Sequence, residues 1–151
     1  MTRSRQQAKR VLLVEDNPGD VRLTREELKQ AKFPSNLSVV EDGVEAMAFL
    51  RREGTYRDAP RPDAVLLDLN LPRKNGRALL AEIRQAADLR DIPVVVLTVS
   101  QADKDMIKAY NLKANFINKP VMAEELWNVL SAPSEFFATA AKPRSEAKQK
   151  K

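Results

Sequence analysis

Leu66-Leu67-Asp68-Leu69-Asn70-Leu71-Pro72 sets a carboxylate at the end of an apolar run, where a buried strand should stop. Strands of this kind carry Val, Ile and Leu into a core, and an ionised Asp inside one is costly unless something satisfies it. Taken alone, Asp68 reads as a cap for the turn that Asn70 and Pro72 announce. Three other short stretches, distant in sequence, shift that balance by bringing matching chemistry to the same edge.

Outward from Asp68 the pattern alternates. The strand, Ala64 to Leu69, follows a loop from Glu53 to Pro62 and leads into a turn from Leu71 to Gly76. Upstream, Val11 to Val14 and Leu37 to Val40 are short continuous apolar runs, as expected of strands buried on both faces. Between them Asn17-Pro18-Gly19-Asp20 reads as a break, and a helix runs from about Val21 to Lys32, inward at Val21, Thr24 or Arg25, Leu28 and Ala31. Glu41-Asp42-Gly43 opens a second helix, Val44 to about Arg52, inward at Val44, Met47, Ala48 and Leu50. Downstream come a helix from Arg77 to about Ala87, inward at Leu80, Ile83 and Ala87, and a strand from Val94 to Val99. A helix from Asp103 to about Leu112, a short strand from Asn115 to Asn118 and a last helix from Ala123 to about Leu130 complete the series. Strict alternation implies right-handed crossovers and a parallel sheet covered on both faces. The expected fold class is α/β: a flavodoxin-like doubly wound five-stranded parallel sheet, order 2-1-3-4-5, with five helices.

A chain of 151 residues suits one domain. The expected layout is a basic N-terminal tail over 1–8, the folded domain over 9–131, a C-terminal helical extension over 132–141 and a disordered basic tail over 142–151. There is no cysteine and no histidine, which removes disulfides, thiolate and imidazole metal sites, and Ser-His or Cys-His nucleophiles. Carboxylates, hydroxyls, lysines and a hard cation remain. The net charge of +5 invites a nucleic-acid reading, but the excess sits at the ends. Residues 1–10 carry four Lys or Arg and no acid, and residues 134–151 carry five against two acids, so the span between is slightly acidic. Solvated tails, not a specific nucleic-acid surface, are the expectation. Val11 to Val14 is too short an apolar core for a signal peptide or a membrane span, so a cytoplasmic location with no membrane association is the expectation.

In a doubly wound sheet, ligands collect at the carboxyl ends of the strands. Those ends carry Glu15 and Asp16 on the first strand, Asp68 on the third, Thr98 on the fourth and Lys119 on the fifth. Each residue alone has an ordinary structural use. Their convergence is informative because the apolar pattern locates the strand ends independently. Two unit charges about 4 Å apart repel by roughly 4 kcal/mol at an effective dielectric of about 20, so three carboxylates need compensation. One lysine offsets part of it. With only oxygen ligands on offer, Mg²⁺ is the natural divalent partner, and its preference for phosphoryl oxygens points to phosphoryl chemistry at Asp68.

This constellation resembles the receiver domains of two-component response regulators, in order and spacing, over about residues 9–131. The resemblance implies that Asp68 is the phosphoacceptor, taking a phosphoryl group from a phosphohistidine on a sensor histidine kinase. It implies Asp16 and Asp68 as direct Mg²⁺ ligands, the backbone carbonyl of Asn70 as a third, and Glu15 acting through water. Thr98 would hydrogen-bond one phosphoryl oxygen and Lys119 pair with another, with a cis peptide between Lys119 and Pro120. Phe116 falls at the family's aromatic switch position, coupled to Thr98. Within the family, Val39-Val40-Glu41-Asp42-Gly43, Gly54-Thr55-Tyr56-Arg57 and Glu135-Phe136-Phe137 are similar to the stand-alone regulators paired with bacterial phytochromes. That likeness implies a bacteriophytochrome as the kinase and a homodimer; with no effector domain expected, output would pass by surface to a downstream protein, to a phosphotransfer protein in a phosphorelay step, or back to the kinase. Two departures matter: Val99 would crowd the path to Asp68, and Pro133 interrupts the C-terminal helix on which such a dimer would be built.

Three rival functions meet specific obstacles. A flavodoxin-like FMN site wants a Ser-, Thr- or Gly-rich loop after the first strand, and Glu15-Asp16-Asn17-Pro18 is acidic instead. An aspartyl-phosphate phosphohydrolase wants a second Asp two residues beyond the nucleophile, where Asn70 stands, so no turnover of external substrate is expected. About 20 residues after the domain leave no room for a helix-turn-helix reader.

Overall fold

The computed structural model describes residues 8–71, 75–98, 100–109 and 112–131. Along them run β1 (Lys9–Val14), α1 (Pro18–Ala31), β2 (Ser35–Val40), α2 (Gly43–Arg51), β3 (Ala64–Asp68), α3 (Gly76–Gln85), β4 (Val94–Leu97), α4 (Gln101–Ala109), β5 (Asn115–Ile117) and α5 (Ala123–Leu130). The five strands form one sheet in the order β2-β1-β3-β4-β5, and all four pairings are parallel. This is the doubly wound order the alternation implied. The expectations for Val99, Pro133, the 132–141 extension and the 142–151 tail fall outside the described residues.

The central strands carry almost no polar side chains because the sheet is covered twice. Leu12 and Val14 of β1 join Val65 and Leu67 of β3 and Leu79, Leu80 and Ile83 of α3 in one core. Val11 and Leu13 point the other way, joining Leu66, Val95 and Leu97 under Leu28 of α1 and Leu126 and Leu130 of α5. That second layer is closed by Glu27, which accepts the Ala123 N–H at the start of α5 (2.8 Å). The ring of Phe33 also meets Trp127 edge-on at 5.3 Å. Among the described residues no helix is long and apolar enough to cross a membrane.

Several sequence expectations are corrected. The Asn17–Asp20 stretch is a helix start, not a break: Asn17 Oδ1 accepts the Asp20 N–H (3.1 Å) and Pro18 opens α1, where its missing N–H costs nothing. Thr24 and Leu28 are buried on α1, while Arg25 is exposed. On α2 the inward face is Gly43, Ala46, Met47, Phe49 and Leu50, and Val44 is 46% exposed. Asp42 anchors the helix start by accepting the Glu45 N–H (2.8 Å), which turns Val44 outward. Phe49 packs against Tyr56 at 5.4 Å, which sits in a short 3-10 turn at Gly54–Tyr56 within the Glu53–Pro62 loop. On α3, Leu79 is buried beside Leu80 and Ile83, whereas Ala87 lies past the helix end and is exposed.

Two devices seat α3 under the sheet edge. Gly76 lies so close to β3 that an added Cβ would meet Leu69 Cα at 2.5 Å and the Asp68 carbonyl oxygen at 2.6 Å. At the other end Arg84 donates to the carbonyls of Lys113 (2.9 and 2.5 Å), Arg90 (2.8 Å) and Ile92 (2.9 Å). Burial lowers its pKa to about 10, against the nearby charge of Asp91. A planar fork of N–H donors suits this bracing role, which a lysine could not reproduce.

Candidate functional site

At the carboxyl edge β1 and β3 run side by side, with Val14 opposite Leu67. The next residues therefore meet. Glu15 and Asp68 are buried at 2% and 4% exposure, and Asp16 is exposed. Carboxylate oxygens of Glu15, Asp16 and Asp68 all lie within 4.8 Å of one another. Glu15 accepts the Asn17 N–H (3.3 Å). Asp68 Oδ1 accepts the Asn70 N–H (3.0 Å), closing the turn after β3.

Lys119, delivered by β5, reaches across this edge. Its Nζ lies 3.3 Å from Asp68 Oδ2 and 3.5 Å from Glu15 Oε1. A third carboxylate, Asp20 Oδ2, is nearer still at 3.2 Å. Burial pulls the ammonium down, but the charges of Asp68 and Glu15 and the contact with Asp20 outweigh it, so Lys119 titrates above the usual lysine range. Glu15 moves the other way for a carboxyl: burial first, then its contact with Asp68, raise its pKa to about 7 despite Lys119. One cation leaves these acids with a net negative charge, which favours a further cation at this edge. The Lys119–Pro120 peptide is cis.

Thr98 continues from β4 and is buried, its N–H bonded to Ile117 of β5 (3.1 Å). Its hydroxyl donates to Asp103 Oδ2 (3.4 Å) and accepts the Ser100 N–H (3.0 Å). Phe116 on β5 is half-buried against the α2–α3 core, with Lys104 Nζ 5.9 Å from its ring centre. Beside the acids a crevice of about 230 Å³ opens between α1 and the end of β5, lined by Glu15, Asp20, Leu23, Thr24, Lys119 and Val121 among others.

The structure thus gathers Glu15, Asp16, Asp68 and Lys119 on one edge, with Asn70 at its rim and Thr98 adjoining. Sequence reading missed Asp20 and Asp103. Asp20 was legible through the Asn17-Pro18 helix start, which places it one turn past the acidic pair. Asp103 offered no such signal, being one of two acids, with Asp105, on a largely polar helix.

Against known proteins, residues 11–131 match the response regulator receiver domain family. The chain belongs to this family. The response regulator Rcp1 of Synechocystis sp. is 44% identical to this receiver over 128 residues, covering 84% of this chain and 87% of that protein. A crystal structure of the phosphorylated cyanobacterial phytochrome response regulator RcpA superposes with a TM-score of 0.69 at 44% identity, covering 89% of this chain and 97% of that one. The Mn²⁺-bound form of Rcp1 gives a TM-score of 0.68 at 42% identity, covering 89% of this chain and 96% of the other.

Proposed function

We propose that this receiver accepts a phosphoryl group on Asp68 from the phosphohistidine of a sensor histidine kinase, and signals through a surface that changes with that modification. The observation that carries the reading is Asp68 itself: a buried carboxylate within reach of two further acids and one lysine, at a sheet edge open to solvent. Oxygen donors from Glu15, Asp16 and Asp68, in a chain with no cysteine and no histidine, fit Mg²⁺. Asp16, Asp68 and the Asn70 carbonyl would hold it directly and Glu15 through water. When bound, the cation supplies charge neutralisation for the incoming phosphoryl oxygens.

The protein's own groups do the rest. An oxygen of Asp68 forms the new bond to phosphorus as the phosphorus–nitrogen bond breaks, and the electron pair leaves with the imidazole nitrogen. Lys119 turns part of its charge from Asp68 Oδ2 to a phosphoryl oxygen. Thr98 donates its hydroxyl to another, and Phe116 follows the vacated space. Asn70 stands two residues beyond Asp68, where an aspartyl-phosphate phosphohydrolase carries a second Asp, so the reading is of a signalling protein without turnover of external substrates. The relatives named as phytochrome response regulators support a bacteriophytochrome as the kinase; a downstream or phosphotransfer protein as the recipient and a cytoplasmic setting are part of the same proposal. A homodimer and the 9–131 extent of the receiver, with tails on either side, belong to the same proposal.

The test is incubation with Mg²⁺ and a small acyl phosphate, followed by intact-mass measurement. One phosphoryl adduct per chain is expected, absent in Asp68→Ala and without magnesium. An adduct that persists in Asp68→Ala, or none in the wild type, overturns the proposal.

A further inference from the structure

A threonine hydroxyl has one proton to give. In this structure Thr98 gives it to Asp103 Oδ2 at 3.4 Å, an acceptor on α4 and outside the Glu15–Asp16–Asp68 cluster. Asp103 is held for that contact from two sides. Its other oxygen takes both Nε (3.0 Å) and Nη2 (2.6 Å) of Arg77 on α3. Its backbone N–H is capped by Ser100 Oγ (3.1 Å), while the Ser100 N–H binds back to Thr98 Oγ1 (3.0 Å). The Asp103 side chain is only 14% exposed. The next α4 residue, Lys104, donates to Asn118 Oδ1 at 2.7 Å and lies over the Phe116 ring. Consecutive residues of one helical turn therefore touch Thr98 and Phe116.

We infer that Asp103, oriented by Arg77, is a positioning residue that holds the Thr98 hydroxyl in its resting place and so sets how readily the receiver adopts its phosphorylated form. This rests on the Asp68 reading above. A phosphoryl oxygen and Asp103 compete for the same proton, so occupying Asp68 must break the Thr98–Asp103 bond. Freed of Thr98, the first turn of α4 is still tied to Arg77, Ser100, Asn118 and the Phe116 ring. Because coupling between two sites is reciprocal, weakening the Asp103 contact must strengthen binding of a phosphoryl group to the same degree. At 3.4 Å the bond is long, so it can be surrendered without a large barrier.

The experiment is a titration of the full chain with beryllium fluoride in Mg²⁺, as a phosphoryl mimic. Asp103→Ala should bind it about fivefold more tightly or better, the lower range of a typical coupling. Asp103→Asn and Arg77→Ala should shift affinity the same way by less. In a Thr98→Ala background, Asp103→Ala should change nothing. That arm separates the proposed role from two bland ones, loss of helix stability and loss of a negative charge near the site, since both would persist without Thr98. An equal effect with and without Thr98, or no tightening in a folded Asp103→Ala or Arg77→Ala chain, overturns the inference and leaves the Asp68 reading intact. Failure of the wild type to bind the mimic, or binding undiminished in Asp68→Ala, removes the Asp68 reading and this inference with it.

Discussion

Glu15 shows how a single residue can be set against its own fold. Burial and then Asp68 raise its pKa from an ordinary 4.5 to about 7, so the metal-free folded state holds a proton that the unfolded chain releases earlier. That preference contributes stability in full below about pH 4.5, and the contribution is lost as pH rises through about 7. In thermal melts without divalent cations, the wild type should therefore lose more stability between about pH 6 and about pH 8 than Glu15→Gln, which mimics the protonated form. Parallel curves for the two proteins would contradict the assignment. With Mg²⁺ the sign should reverse, because a bound cation would favour ionised Glu15. Titration calorimetry should find affinity rising across the same interval, with protons released on binding.

Among the elements, α3 and α2 were the hardest to read from pattern alone. The approach of Gly76 to the backbone of Asp68 and Leu69 leaves no space for a methyl group, and neither backbone atom can swing aside. Gly76→Ala should cost about 2 kcal/mol or more in denaturant unfolding, and should weaken Mg²⁺ binding as well, because the strain falls on the residue that bears the site. On α2 Val44, which spacing set inward, is exposed, and Phe49 is buried. Val44→Lys should change stability by no more than about 0.5 kcal/mol, while Phe49→Ala should cost about 3–5 kcal/mol. The reason is local: Asp42 anchors the first turn and so decides which way every later side chain points, a rotation that hydrophobic spacing leaves free.

Taken whole, the molecule concentrates repulsion at one edge of an otherwise apolar sheet, and its stability should report on that edge. A cation that binds only the folded state stabilises it by mass action, by about 2.7 kcal/mol at a hundred times the dissociation constant. Mg²⁺ should therefore raise the melting temperature of the wild type in a saturable way. The rise should vanish in Asp16→Ala, whose exposed carboxylate contributes to the site without supporting the core. An undiminished rise in that variant would place the cation elsewhere.

The apolar runs of five strands, their alternation with helices and the polar residue closing each run are properties of the chain itself, because burial on both faces demands continuous hydrophobic sequence. They sufficed to bring Glu15, Asp16, Asp68 and Lys119 to one edge. The partners within that edge are not encoded so locally. That Lys119 is shared with Asp20, 99 residues away, that Thr98 spends its proton on Asp103 and that Arg77 reaches from α3 to orient it depend on how finished elements pack and rotate. Those contacts span distances of a few ångströms between segments whose sequence patterns constrain only which face is apolar, so only the tertiary structure decides them. Asp68 is legible in the sequence as a charge that needs company, and the fold chooses the company.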